Sequence, residues 1–553
     1  MWTSAHSFKP MRNKTSIVLV ILLFIGAAGV IRAGQSDHVI WVDYDFRDIP
    51  EPKERKVGLY DSAFQSEFVD PIKRGTDIPR WVRLAAGNPK QAENVNALDE
   101  VPDSSWFTNR HALRPMTVEQ LVRGPNRGAP PDFTNATITR FKEEGVTPGL
   151  QLVDAHGEEY VIKFDNIKYP DLQSGAEVIS TKILYASGYN VPENYIAYLE
   201  PGKLKIKEGL ETGGKTKHPF THEDLTKILK NAARKPDGKY RVLASKMLKG
   251  KPKGPFSYVG LRTDDANDLI AHEHRRELRG LRAIASWINN WDAKDGNTLD
   301  MYVEQGGRKF LRHYLIDFGS SLGGGKSPTE YFHGREYAFD KVNIIKELFT
   351  LGLVVTPDEK SAPVVYPEVG IFSAEDFNPG DWKPSFQSVA FDNMTREDAM
   401  WATRVILSFT ENELLSIVKT AEYSNPKATE YMLRTLIDRR QQIATYWLKE
   451  GSPLSHFAVS KTGDGTEITF EDLLAQHDLA SGSAEYQYET WQGERWSQPT
   501  STSKRRIMLD MTSNGPVKVR VRTLREHKAS KPVVITVQNK IAGGIGIARI
   551  ERT

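Results

Sequence analysis

The sequence predicts an α+β chain in which a small antiparallel sheet is followed by a larger helical region and then by a β-rich segment. Three observations predict it. Between residues 137 and 164 short runs of strand character alternate with turn signals. From 341 to 447 apolar residues recur with helical spacing, and near 517 the hydrophobic period shortens to two. A chain of 553 residues also exceeds what one core supports, so several structural units are expected.

Taken in order, residues 34–136 are rich in Pro, Asp and Trp and hold no sustained period. They are read as an irregular wrapping segment. Its Trp41, Trp81, Trp106 and Phe107 are expected to plug a neighbouring unit, because aromatic rings gain most from burial. Strands follow at 137–141, 150–154 and 160–164, separated by Glu144-Gly145-Val146-Thr147-Pro148-Gly149 and His156-Gly157. A helix is predicted over 174–186: Ser174 and Glu177 match a capping box, Val178, Ile179, Ile183 and Leu184 supply apolar positions, and Gly188 ends it. Strands near 195–199 and 240–245 flank a lysine-rich insertion. Residues 248–255, with Gly250, Pro252, Gly254 and Pro255, then read as a linker, dividing a unit at 137–250 from one at 251–450.

In the second unit, helical spacing is expected at 268–287, 412–421 and 427–448. Over 455–553 a β-sandwich-like domain is expected. Val517, Val519 and Val521 alternate there with Lys518, Arg520 and Arg522, and a β-branched run follows Pro532. No internal repeat is visible.

Hydrophobic residues make up 39% and charged residues 26%, which excludes wholesale disorder and a many-span membrane protein. A net charge of +3 makes no general case for nucleic acid. Lys9, Arg12 and Lys14 precede an apolar run from Ile17 to Ile25 that continues through small residues to Ile31. Residues 1–33 are therefore expected to be a signal peptide, cleaved after Ala28, or an uncleaved anchor. Both deliver the rest across a membrane, to the periplasm or to its membrane face. The absence of cysteine removes disulfides, thiol catalysis and thiolate zinc sites, and in an exported chain of this size it fits a bacterial envelope.

The chemistry concentrates in Asp292-Ala293-Lys294-Asp295-Gly296-Asn297 and in Asp317-Phe318-Gly319, which closes an apolar strand-like run. Phosphoryl transfer needs a carboxylate at the acceptor, a cation near the transferred group and oxygen ligands for magnesium. Asp292, Lys294 and Asn297 share one loop, and the distance to Asp317 suits a hairpin returning a second metal ligand beside the first. Upstream, Val161-Ile162-Lys163 ends a strand.

On these residues the chain resembles the protein-kinase-like superfamily, in which a D-x-K-x-x-N loop, a D-F-G triplet and a V-A-I-K strand recur together. The resemblance covers residues 137–447 and implies a two-lobed protein-kinase-like fold, with the β-rich segment appended. It implies Asp292 as catalytic base, Lys294 beside the transferred phosphoryl group, and Asn297 and Asp317 as metal ligands. Lys163 would hold the α- and β-phosphates with Glu177 as its partner, although Glu177 serves equally well as a capping residue. Gly145 and Gly149 occupy the place of a phosphate-cradling loop by position only, since G-x-G-x-x-G is absent. Asn290-Trp291 replaces the usual His-Arg, and no A-P-E follows, so the pattern looks more like the atypical branch of HipA-like, phosphatidylinositol and secretory-pathway kinases.

The implied function is an exported phosphotransferase that moves the γ-phosphoryl group of ATP, with Mg or Mn, to a protein, lipid or sugar acceptor. The alternative is a catalytically inactive kinase-like binding module of the cell envelope. Expected partners are nucleotide, acceptor and a membrane contacted through the N-terminal segment, with no nucleic acid. Three further features are set aside. Residues 320–327 imitate a P-loop but begin with Ser320, and His272-Glu273-His274 lacks the i, i+4 spacing of a helical zinc site. Tyr486, Tyr488, Trp491 and Trp496 form a carbohydrate-contact face less readily than a strand core. Arg275, Arg276, Arg279 and Arg282 read as a solvated helix face with Glu273 and Glu277, or as contacts for an anionic substrate.

Overall fold

The computed structural model describes residues 39–56, 78–142, 149–212, 217–325, 334–338, 364–463, 465–509, 515–540 and 544–552. The N-terminal apolar run, Gly145, Lys326 and Ser327 lie outside the described residues. A short helix α1 (Ile78–Ala85) and a second, α2 (Val118–Arg123), capped by a Thr117–Gln120 box, precede the first sheet.

That sheet comprises β1 (Thr137–Lys142), β2 (Gly149–Val153) and β3 (Glu159–Phe164); after helix α3 (Leu172–Ser187) come β4 (Asn194–Leu199) and β5 (Lys205–Ile206), and after helix α4 (His222–Leu229) comes β6 (Tyr240–Lys246). The strand order is β4-β6-β3-β2-β1-β5, antiparallel except for β1 with β5. The pleat decides which side chains do what. Tyr160, Ile162 and Phe164 point into a core shared with Ile138, Leu152 and Val242, which sends the intervening Lys163 to the opposite face.

A second sheet joins β7 (Lys251–Pro252) to a hairpin that follows helix α5 (Arg276–Trp287). The hairpin pairs β8 (Thr298–Gln305) with β9 (Arg308–Leu315) through Gly306-Gly307, both at positive φ (59° and 75°), as a two-residue turn of matching twist requires. Helices α6 (Val389–Asp392), α7 (Arg396–Leu407), α8 (Glu411–Lys419) and α9 (Pro426–Glu450) follow. Thr395 with Asp398 and Thr410 with Glu413 close capping boxes, while Asn425 caps α9 with Pro426 in its first turn. Their apolar faces meet α3 and α5 in one core that includes Ile183, Trp287, Trp401, Leu414 and Leu436.

The chain then enters β10 (Leu454–Thr462) and β11 (Gly465–Asp472), a helical turn α10 (Leu473–Gln476), β12 (Glu485–Thr490), β13 (Thr500–Thr502), β14 (Arg506–Leu509), β15 (Val517–Arg525), β16 (Lys528–Ala529), β17 (Val533–Asn539) and β18 (Ile545–Arg552). β10-β11-β14 form one sheet and β13-β12-β15-β17-β18 another, with β16 on β15. Both contribute to a single apolar cluster, Ile468 and Leu509 from the first, Val519, Val533 and Ile535 from the second. β18 ties back to the wrapping segment: the Ile550 N–H donates to Ala97 O at 2.8 Å, and Arg552 Nε meets Asp99 Oδ2 at 2.8 Å.

Three expectations are corrected. The helix predicted over 268–287 begins only at Arg276, because Asp268 accepts from the Arg262 N–H and pairs with His272 Nε2 at 2.8 Å, holding a local turn. Arg275, Arg276 and Arg279 form no solvated face: all three are buried, Arg276 against Asp99 and Asp398, Arg279 against Asp398, Arg275 against Asp268 and Glu277. Of the expected aromatic plugs, Trp106 and Phe107 are buried, whereas Trp41 and Trp81 are exposed. Among the described residues no helix is long and apolar enough to cross a membrane.

Candidate functional site

Strand β3 presents Lys163 on the face opposite its core, and α3 runs beneath that face. Lys163 Nζ lies 2.8 Å from Asp317 Oδ1 and 3.5 Å from Glu177 Oε2. Burial disfavours the ammonium, but Glu177 and Asp317 outweigh it and hold the Lys163 pKa above the usual lysine value. Gly149, on the neighbouring strand, pairs directly with Lys163 in the β2–β3 register, so no side chain stands beside the lysine from that position.

The two roles left open for Glu177 are now separated. Helix α3 starts at Leu172 after Asp171, whose side chain makes no cap and whose φ is 70°, and Ser174 is engaged with Asp165. Glu177 therefore lies inside the helix, away from the N3 capping position. It is buried; Asn194 Nδ2 donates to its Oε1 at 3.3 Å and to Thr181 Oγ1 at 2.8 Å. Burial lifts the Glu177 carboxyl above the usual range, with the Lys163 charge opposing and a Phe318 backbone N–H also acting to lower it.

The hairpin β8–β9 brings the remaining motifs together. Thr298 pairs with Leu315, and one step further the Ile316 N–H donates to Asn297 O at 3.0 Å. Asn297 Nδ2 donates to Asp292 O at 2.8 Å and to Asp292 Oδ2 at 3.0 Å, while Lys294 Nζ meets Asp292 Oδ1 at 2.7 Å. Asp317 sits in the left-handed region at φ 61°, uncommon for a residue with a side chain, two residues past the end of β9.

Some of the supporting residues carried no motif. Asn194 lies on β4, and nothing in its neighbours marks it as the partner of Glu177. The segment after 380 closes on the loop: Trp382 Nε1 donates to Asn289 Oδ1 at 2.9 Å, the Ser385 N–H to Trp291 O at 2.7 Å, and Lys294 Nζ stands 5.3 Å from the centre of the Phe386 ring. Residues 320–325 are mostly buried. Gly323 and Gly370 pack backbone to backbone, a side chain at Gly370 coming within 2.2 Å of Gly323 O, which accounts for that glycine run by packing.

No protein-family model and no curated protein matches the chain. Among solved structures it is similar to the Helicobacter pylori proinflammatory kinase CtkA, at 12% identity and a TM-score of 0.29 over 57% of this chain and 98% of the other. It is also similar to the Golgi casein kinase, at 10% identity and 0.28 over 74% and 95%, and to that kinase with Mn/ADP bound, at 11% and 0.28 over 73% and 94%. Likeness this loose carries no weight.

With both hydrogens of its amide spent on Asp292, Asn297 could offer only its Oδ1 to a hard cation such as Mg or Mn, and Asp317 could offer a carboxylate oxygen. Among the described residues no group of three or more His, Cys, Asp or Glu side chains is placed to hold a metal. Phosphate oxygens and water would have to complete the shell.

Proposed function

We propose that the chain is a kinase-like phosphotransferase with a two-lobed arrangement, the sheet β1–β6 with α3 above and the helices α5–α9 below, and with β10–β18 as an appended domain. It transfers the γ-phosphoryl group of ATP to a protein, lipid or sugar acceptor outside the cytoplasm, where residues 1–33 would deliver it. One observation carries this reading: a strand lysine held between a buried helix glutamate at 3.5 Å and the aspartate of Asp317-Phe318-Gly319 at 2.8 Å. A buried carboxylate needs a partner, and scaffolding alone gives no reason for that partner to be a lysine shared with a second, exposed carboxylate.

In this role Lys163 moves from Asp317 onto the α- and β-phosphates while Glu177 keeps its ammonium in place. Asp292 accepts the acceptor hydroxyl's proton, and Lys294 offsets charge on the transferred group. Asn297 and Asp317 would hold the metal, which would supply charge neutralisation at the phosphate oxygens. The second reading, a non-catalytic binding module, is favoured by the direct Lys163–Asp317 contact, which makes a phosphate contact and a metal ligand satisfy each other.

Steady-state ATP turnover of the purified chain with Mg separates the two. The phosphotransferase reading expects turnover that Lys163→Met and Asp292→Asn each remove. Nucleotide binding without turnover in the wild type would establish the binding module instead.

A further inference from the structure

A two-stranded hairpin is marginal by itself, and β8–β9 carries the two motif ends: Asn297 stands immediately before β8 and Asp317 two residues past β9. Side chains alternate in direction along a strand, so a slip of one residue in this pairing would turn one motif end away from the other. The Gly306-Gly307 turn lies at the opposite end of the hairpin. Register near the site therefore calls for a determinant of its own.

One is present. Asp300 and His313 are direct cross-strand partners, both buried, with His313 Nδ1 2.6 Å from Asp300 Oδ1. Arg262, also buried, donates from Nη1 to the other carboxylate oxygen at 2.8 Å and from Nη2 to Lys53 O at 2.6 Å. Trp106 lies flat on the His313 ring, with centroids 3.5 Å apart and planes at 13°. Backbone bonds extend the tie. The His313 N–H donates to Ser105 O at 3.3 Å and the Leu315 N–H to Asn190 O at 3.0 Å, while Asn190 Nδ2 donates to Ser105 O at 2.9 Å and to His313 O at 3.1 Å. Lys53, Ser105 and Trp106 all belong to the wrapping segment, which thus grips the strand that leads to Asp317.

Stability alone gives little reason for this arrangement. Replacing a buried ion pair by apolar residues is often neutral or stabilising, and the best-attested use of such a pair is to fix register. Apolar residues at 300 and 313 would tolerate a shifted pairing, whereas a shifted Asp300 would be a buried carboxylate deprived of its imidazole.

We propose that Arg262, Asp300 and His313, roofed by Trp106, form a positioning device that sets the β8–β9 register and with it the spacing of Asn297 and Asp317. The proposal deepens the phosphotransferase reading, on which the role of those two residues rests.

The test compares His313→Leu, which removes the donor, with His313→Asn, whose Nδ2 stands where the ring Nδ1 stood. Val519→Ala, at a buried position on β15, controls for a general loss of stability. Hydrogen–deuterium exchange of the full chain should be faster in His313→Leu over 292–299 and 311–319 and unchanged over β2 and β3, with protection restored in His313→Asn. Mn(II) binding in the presence of a non-hydrolysable ATP analogue, followed by electron paramagnetic resonance of the free ion, should weaken about tenfold in His313→Leu, the low end for residues that support metal ligands. His313→Asn and Val519→Ala should bind Mn(II) as the wild type does. If His313→Leu does not fold, the near-isosteric Asp300→Asn carries the same expectation. Wild-type exchange at both segments in His313→Leu overturns the proposal, as does a loss in His313→Asn or Val519→Ala equal to that in His313→Leu. A wild type that binds no Mn(II) with the nucleotide overturns the phosphotransferase reading instead, and exchange alone then decides whether the device holds the hairpin.

Discussion

Replacing Asp398 by Asn removes one charge from a place where it cannot be replaced. Its carboxylate is fully buried, 3.1 Å from Arg276 Nε and 3.4 Å from Arg279 Nη1, while its Oδ2 also accepts the Thr395 N–H at 3.0 Å. An Asn can keep the capping contact, but its NH₂ then faces a guanidinium, donor against donor. Breaking one partner out of a buried pair costs about 3–5 kcal/mol. The low end applies here, about 3 kcal/mol, because Arg276 retains Asp99 Oδ1 and Arg279 retains two carbonyls. Asp398→Ala avoids the donor clash but loses the cap, worth about 1 kcal/mol. Urea unfolding followed by tryptophan fluorescence reads both variants as midpoint shifts, provided the slope is unchanged. A loss below about 0.5 kcal/mol for both would refute the buried network and return these arginines to a solvated face.

Further outcomes follow from other contacts. Gly188→Ala should destabilise by about 1–3 kcal/mol in the same assay, since φ is 122° and the new Cβ would lie 2.2 Å from Phe107 Cε2; an unchanged midpoint would contradict that packing. Burial raises the Asp268 pKa, but the His272 hydrogen bond and charge, the Arg262 N–H and Arg275 together hold it at about 2, below the model-peptide value of 3.8. A depressed carboxylate contributes stability that is full above the unfolded pKa and lost as pH falls through the folded one. Roughly 2 kcal/mol should thus disappear between about pH 4 and 2, and Asp268→Asn should flatten that part of the acid-unfolding curve. Asp292→Asn should lower turnover by about two to four orders of magnitude with nucleotide affinity retained; wild-type rates would remove Asp292 from the chemistry.

Much of the local structure was legible because it rests on neighbours in sequence. The run from Tyr160 to Phe164 marks the strand that Lys163 closes, and the spacing from Asn297 to Asp317 suits the hairpin that β8 and β9 form. The α3 start was misread because Ser174 and Glu177 satisfy a capping pattern, yet Ser174 is claimed by Asp165, which only the tertiary fold brings near. The same cause hid the burial of Arg276, whose partners Asp99 and Asp398 are distant in sequence. Trp81 was expected inside on composition alone, and it stands exposed on α1. Of the site, the motif residues stood out one by one; the meeting of Glu177 and Asp317 at Lys163 required α3 to pack on β4 and β6, with Asn194 fixing Glu177.

Metal-dependent nucleotide binding tests the central claim most directly. A ligand that binds only the folded chain stabilises it by about 2.7 kcal/mol at a hundredfold excess over Kd, which a thermal-unfolding scan detects readily. Mg-ATP or Mn-ATP should raise the wild-type melting temperature, and ATP with chelator should do little. Asp317→Ala should abolish the metal-dependent part, and Lys163→Ala should weaken the whole response. No shift in the wild type with either metal, or equal shifts in the wild type and Asp317→Ala, would contradict the account.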